Sequence, residues 1–142
     1  HTSHLPQACI QRYLETRDLD AHIQRLRSKY ASRRNAMLEA LTSCFADELK
    51  VAPPSGGLFL WAELPVGCNA RILLERCLEQ KVAFVPGGAF FPEGGHENTM
   101  RLNFSNMPED RIQEGIHRIR QAYCSLQERY SATSAFHPYD VG

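Results

Sequence analysis

Lysine is scarce in this chain of 142 residues: Lys29, Lys50 and Lys81 are the whole supply, and arginine carries the rest of the positive charge. Sixteen basic residues face sixteen acidic ones, so no net field draws the chain toward nucleic acid or a membrane surface. No apolar run approaches the length of a transmembrane helix, and no basic-then-apolar leader opens the chain. The five cysteines (Cys9, Cys44, Cys68, Cys77 and Cys124) are odd in number and form no Cys-x-x-Cys pair. That pattern speaks against a disulfide framework and for a reduced, cytoplasmic protein with small apolar cysteines. The six histidines are scattered without His-Glu-x-x-His or comparable spacing, so a metal site is not supported.

What is present is periodicity. A chain of this length fits one domain and should bury on the order of 68% of its unfolded surface. Ser3 is placed to cap a helix running to about Thr16, with Pro6 in the first turn and Ile10, Tyr13 and Leu14 on one face. Asp18 is placed to cap a second helix. Ile23, Leu26, Tyr30, Met37, Leu41 and Phe45 extend it from Leu19 to Phe45 at helical spacing. Arg25, Arg27, Lys29, Arg33 and Arg34 decorate its first half. A solvated helix face explains them better than a nucleic-acid patch, since no exposed aromatics interleave.

Pro53-Pro54-Ser55-Gly56-Gly57 reads as a turn between two extended segments. Beyond it, Leu58, Leu60, Ala62 and Leu64 alternate with Phe59, Trp61 and Glu63 as a strand that Pro65 ends. Asn69 should cap a helix through about Gln80, in which Leu73/Cys77 and Leu74/Leu78 are i,i+4 pairs. Val82 to Val85 should be a short buried strand, followed by a glycine-rich loop from Pro86 to Gly95 with adjacent Phe90 and Phe91. Asn106 and Glu109 resemble a capping box with Pro108 in the first turn. The Ile112, Ile116, Ile119, Tyr123, Leu126, Tyr130 series then predicts a long amphipathic helix. Residues 131–142 are expected to be a tail beyond a domain of residues 1–130. Long helices separated from a small mixed or antiparallel sheet make the expected class α+β, a two-layer sandwich.

The segment Thr99-Met100-Arg101-Leu102-Asn103-Phe104-Ser105 also alternates. Met100, Leu102 and Phe104 should face one side, and Thr99, Arg101 and Asn103 the other. A strand buried on one face can hold a guanidinium on the opposite face, where its planar fork suits a carboxylate. Alternation alone favours a simpler reading, a solvated arginine on an exposed sheet face.

Three segments together carry more. Pro54-Ser55-Gly56-Gly57-Leu58-Phe59-Leu60-Trp61, then Val85-Pro86-Gly87-Gly88-Ala89-Phe90-Phe91, then Arg101-Leu102-Asn103-Phe104-Ser105 resemble, in order, three blocks of class I/II aminotransferases. These are pyridoxal-phosphate enzymes of the aspartate aminotransferase fold. The resemblance runs from about Thr2 to Tyr130 and is nearest to the aminoadipate and kynurenine aminotransferase branch and to MocR-type regulators. It implies a C-terminal small domain that closes over a cofactor held by a separate large domain. By the same resemblance Arg101 grips the substrate α-carboxylate, which reverses the simpler reading. Gly56 and Gly57 match a turn that lets backbone approach the substrate, although any tight turn would serve as well. The loop from Gly87 to Phe91 resembles the segment near the mouth of the site, and ordinary loop glycines explain it equally.

The departures are equally specific. Such an enzyme needs a lysine for the Schiff base, an acidic partner for the pyridinium nitrogen and a phosphate cradle. Ser28-Lys29 sits mid-helix among arginines, and Lys50 and Lys81 lack the flanking pattern. No catalytic or cofactor-binding residue is therefore assigned within this chain. The expectation is a domain inactive alone, using pyridoxal 5'-phosphate in a full-length homodimer with an amino acid and a 2-oxo acid as substrates. A second expectation makes Arg101 the effector-binding residue of a MocR-type transcriptional regulator. A third treats the chain as an interaction module acting through Arg25 to Arg34, which salt-dependent nucleic-acid binding would favour.

Overall fold

The computed structural model describes residues 3–134. In chain order they form α1 (His4–Thr16), α2 (Leu19–Phe45), β1 (Lys50–Val51), β2 (Phe59–Glu63), α3 (Ala70–Glu79), β3 (Val85–Pro86), β4 (Thr99–Asn103) and α4 (Glu109–Ser134). The strands make one sheet in the order β1-β2-β4-β3, antiparallel at every pairing. The turn around Gly56-Gly57 joins neighbouring strands, as a short connection between antiparallel strands can.

The register places Leu60 opposite Leu102 and Ala62 opposite Met100, and all four are buried. They supply one face of a core completed by Met37, Leu41 and Phe45 of α2, Leu73 and Cys77 of α3, and Ile112, Ile116 and Ile119 of α4. Burying each large aliphatic side chain contributes about 1.5–3 kcal/mol, so the sheet and its helical layer hold each other in place. The result is the expected two-layer α+β sandwich. Helices α2, α3 and α4 cover one face of the sheet, and the Arg101 face lies outside the core.

Local chemistry sets the starts of α2 and α3. The Asp18 carboxylate accepts the Ala21 N–H at 2.9 Å, and the Asn69 side chain accepts from Arg71 at 2.9 Å and Ile72 at 3.3 Å. Each satisfies donors that a helix start leaves unpaired. Ser3 stands at the N-cap position of α1 but makes no side-chain capping bond. Helix α1 buries none of its residues, so the face of Ile10, Tyr13 and Leu14 is exposed.

Several expectations are corrected. The segment from Val82 to Val85 is not a buried strand: only Val85 and Pro86 join the sheet, Phe84 is buried, and Val85 is 40% exposed. The Val82 N–H is spent on the Cys77 carbonyl at the end of α3, and Pro86 has no N–H to extend a ladder. Helix α4 starts at Glu109 rather than from an Asn106 cap, because the Pro108 carbonyl accepts the Ile112 N–H at 3.0 Å. It also continues to Ser134, so residues 131–134 are helical where a tail was expected. The rest of that tail lies outside the described residues. Leu58 precedes β2 and is exposed, although its parity had put it with the core face.

Arg33 departs most from the sequence reading. It is buried instead of solvated, and its Nη1 donates to the Ser105 carbonyl just beyond β4. Beside it, Glu109 is held below the ordinary carboxylate range. Its own backbone N–H is the main cause, followed by the Ser32 hydroxyl, with the Arg33 and Lys29 charges contributing less. The middle of α2 is thereby tied to the start of α4.

Candidate carboxylate-binding site

Arg101 occupies the middle of β4, an interior strand, with Trp61 of β2 opposite it on one side and Val85 of β3 on the other. Flanking Met100 and Leu102 are buried, so alternation turns the guanidinium to the face that the helices leave uncovered. Two aromatic rings meet it there. The guanidinium carbon lies 4.3 Å from the Phe59 ring centroid and 4.7 Å from that of Phe90. These distances suit cation–π attraction. The Arg101 Nε is buried without a hydrogen-bond partner. Among the described residues, Arg101 belongs to no ion pair, and no carboxylate neutralises it.

The surrounding wall is aromatic. Trp61 meets Phe90 edge-on at 5.7 Å and Phe91 at 5.9 Å, and Phe91 stacks on His96 at 4.0 Å. Phe90 ends a 3-10 turn, Gly87–Phe90, that directly follows β3. Thr99 shares the parity of Arg101 but is buried under this turn, with its hydroxyl donating to the His96 carbonyl at 2.6 Å.

Gly56 and Gly57 are placed elsewhere. They line a cleft of about 630 Å³ with Arg27, Tyr30 and Arg34 of α2, and Arg101 is not part of its wall. Gly57 has φ +84°, a left-handed conformation that favours glycine. A β-carbon on Gly56 or Gly57 would meet nothing within 4 Å. Their connection to Arg101 runs through Phe59, two residues on from Gly57. The sequence had placed Phe59 and Trp61 on the same parity, but nothing local said which ring would reach the arginine. The part played by Phe90 was missed.

The lysines do not converge on this face. Lys29 is exposed on α2, Lys81 follows α3 with φ +57°, and Lys50 sits on edge strand β1, 4.0 Å from Glu63. Among the described residues no cluster of three or more histidine, cysteine, aspartate or glutamate side chains could hold a metal ion, and no helix is long and apolar enough to cross a membrane.

Comparison with known proteins agrees with this architecture. The family described as "Aminotransferase class I and II" matches residues 1–119. The chain is 42% identical over 120 residues to "Aromatic-amino-acid aminotransferase 1" of Thermococcus litoralis, covering 84% of this chain and 29% of that protein. It superposes with a TM-score of 0.83 and 39% identity on the crystal structure of LysN, the alpha-aminoadipate aminotransferase of Thermus thermophilus, complexed with N-(5'-phosphopyridoxyl)-L-leucine. That match covers 90% of this chain and 33% of LysN. It is also 30% identical over 128 residues to the uncharacterized HTH-type transcriptional regulator YdcR of Escherichia coli, covering 90% of this chain and 27% of that protein. The chain thus spans about a third or less of the length of each of these proteins. By sequence and by fold, the chain belongs to the class I and II aminotransferase family.

Proposed function

We propose that this chain is the carboxylate-reading C-terminal domain of a pyridoxal-phosphate-dependent aminotransferase that moves an amino group between an amino acid and a 2-oxo acid. The observation that carries the reading is Arg101, a cation on the sheet face opposite the helices, held against two rings and, among the described residues, without an acidic partner. Its fork donates to the substrate α-carboxylate and orients the amino acid, and orientation is a large part of what such a site must supply. Gly56 and Gly57 let the backbone approach the substrate from the separate cleft beside it, against α2.

The cofactor of the full-length protein is pyridoxal 5'-phosphate, which supplies the electron sink for amino-group transfer. The bound pyridoxyl-leucine of the Thermus enzyme supports this assignment. The lysines described above do not fit the residue that would carry the cofactor, so this domain contributes recognition and is inactive by itself. The remainder of the protein supplies the lysine and the phosphate cradle, and the whole works as a cytoplasmic homodimer.

The regulator relative supports a second reading, in which the same Arg101 binds an effector carboxylate for signalling. A winged-helix module encoded upstream of His1 would favour it. An interaction module built on Arg25 to Arg34 is disfavoured, because Arg33 is buried with Nη1 donating to the Ser105 carbonyl, and Arg34 donates to the Pro54 carbonyl and to Asn35.

The test is kcat/KM of the full-length enzyme for an amino acid and for the matching amine that lacks the carboxylate. Arg101→Ala should cost about 2–5 kcal/mol with the amino acid and little with the amine. Arg101→Lys should recover part of the loss, since charge survives but the fork does not. Equal losses on both substrates would overturn the assignment.

A further inference from the structure

Phe90 is 46% exposed and lies outside the hydrophobic core, yet its ring is held. Trp61 meets it edge-on at 5.7 Å, and the Arg101 guanidinium carbon lies 4.7 Å from its centroid. Phe59 reaches the same guanidinium from β2, while Phe90 comes from the turn after β3, so the rings approach from the strands on either side of β4. A free arginine side chain samples many rotamers, and ordering it on binding costs free energy that a prior restraint removes. Among the described residues, no hydrogen bond or carboxylate supplies that restraint. The rings do, without consuming the donors that a ligand needs.

We propose that Phe90 is a positioning residue for Arg101: its ring, with that of Phe59, orders the guanidinium before the substrate carboxylate arrives. The proposal rests on the carboxylate reading of Arg101 and adds the residue that makes that reading efficient. Phe90 acts through Arg101, so its removal should be felt only by ligands whose carboxylate Arg101 grips.

The experiment uses the full-length enzyme with its cofactor and compares Phe90→Leu, which keeps apolar bulk, with Phe90→Tyr, which keeps an aromatic face. Phe90→Leu should raise KM for the amino acid roughly three- to tenfold, leave kcat nearly unchanged, and spare the amine without a carboxylate. Phe90→Tyr should restore KM to within about twofold of the parent, since the aromatic face survives. In an Arg101→Ala background, Phe90→Leu should have no further effect, because residues acting through one contact are not additive. A penalty that persists in that background, or one shared equally by amino acid and amine, would show that Phe90 is only a packing wall and would overturn the proposal. If Arg101→Ala itself fails to discriminate the two substrates, the carboxylate reading falls and the proposal falls with it. Should Phe90→Leu not fold, Phe59→Leu tests the same restraint from the β2 side with the same expected selectivity.

Discussion

Gly87 lies so close to Thr99 that a β-carbon on the glycine would stand 2.8 Å from the Thr99 Cβ, and as close to Cζ2 of Trp61. The missing side chain is what lets the turn carrying Phe90 settle on the outer face of the sheet. Thr99 completes the seat by donating to the His96 carbonyl, while His96 stacks against Phe91. One close approach between strand and turn therefore organises the aromatic wall around Arg101.

Gly87→Ala should displace this turn. Overpacking of this kind typically costs about 1–3 kcal/mol. Thr99→Ala introduced alongside should recover part of the loss by removing the hydroxyl that crowds the new methyl group. Denaturant unfolding of the single and double variants measures both effects. An unchanged midpoint in Gly87→Ala would show that the turn can move aside freely.

Arg33 should matter for stability although it lies on a helix rich in exposed charge. Its guanidinium donates to the Ser105 carbonyl and lies beside Glu109. Hydrogen bonds involving charged groups are worth about 1.5–3 kcal/mol, so Arg33→Met should lower stability by an amount in that range. Arg25→Met and Arg27→Met, on the exposed face, should change it by less than about 0.5 kcal/mol. Urea midpoints that fail to separate Arg33 from these two would contradict the buried tie between α2 and α4.

Burial pushes the Cys77 thiol up to about 12 from the ordinary 9.0. Its pKa is raised on folding, so the associated stability is fully present below pH 9 and is lost as pH rises from 9 toward 12. The stability gap between the parent and Cys77→Ala should be constant from pH 7 to about 9 and shrink above that. Alkylation at neutral pH should modify exposed Cys9 readily and reach Cys77 only on unfolding. Labelling of both at equal rates in the folded protein would refute the assignment.

The isolated chain should not form a covalent adduct with pyridoxal phosphate at any one lysine. Incubation with the cofactor, borohydride reduction and peptide mapping would give at most weak labelling spread over Lys29, Lys50 and Lys81, which all lie exposed on separate elements. Stoichiometric capture at a single one of them would overturn the reading that recognition and cofactor capture reside in different parts of the protein.

By itself the sequence determined the features that neighbours along the chain decide. Leu19 to Phe45 as one helix, its Asp18 cap, the Asn69 cap and the two-faced strand around Arg101 all follow from periods of a few residues and from side chains that satisfy nearby N–H groups. The three motif blocks made the family recognisable for the same reason, since each is a short contiguous run. Tertiary structure alone decided what depends on residues distant in sequence. The register that puts Trp61 and Val85 on either side of Arg101 joins β2, β3 and β4 across intervening helices and loops. The turn after β3 sets Phe90 against the guanidinium, while Gly56 and Gly57 face α2 in another cleft. Arg33 looked like its solvated neighbours because helical periodicity does not reveal a carbonyl 72 positions away. Local patterns determine which face a side chain takes, but only the packed chain determines what stands opposite it.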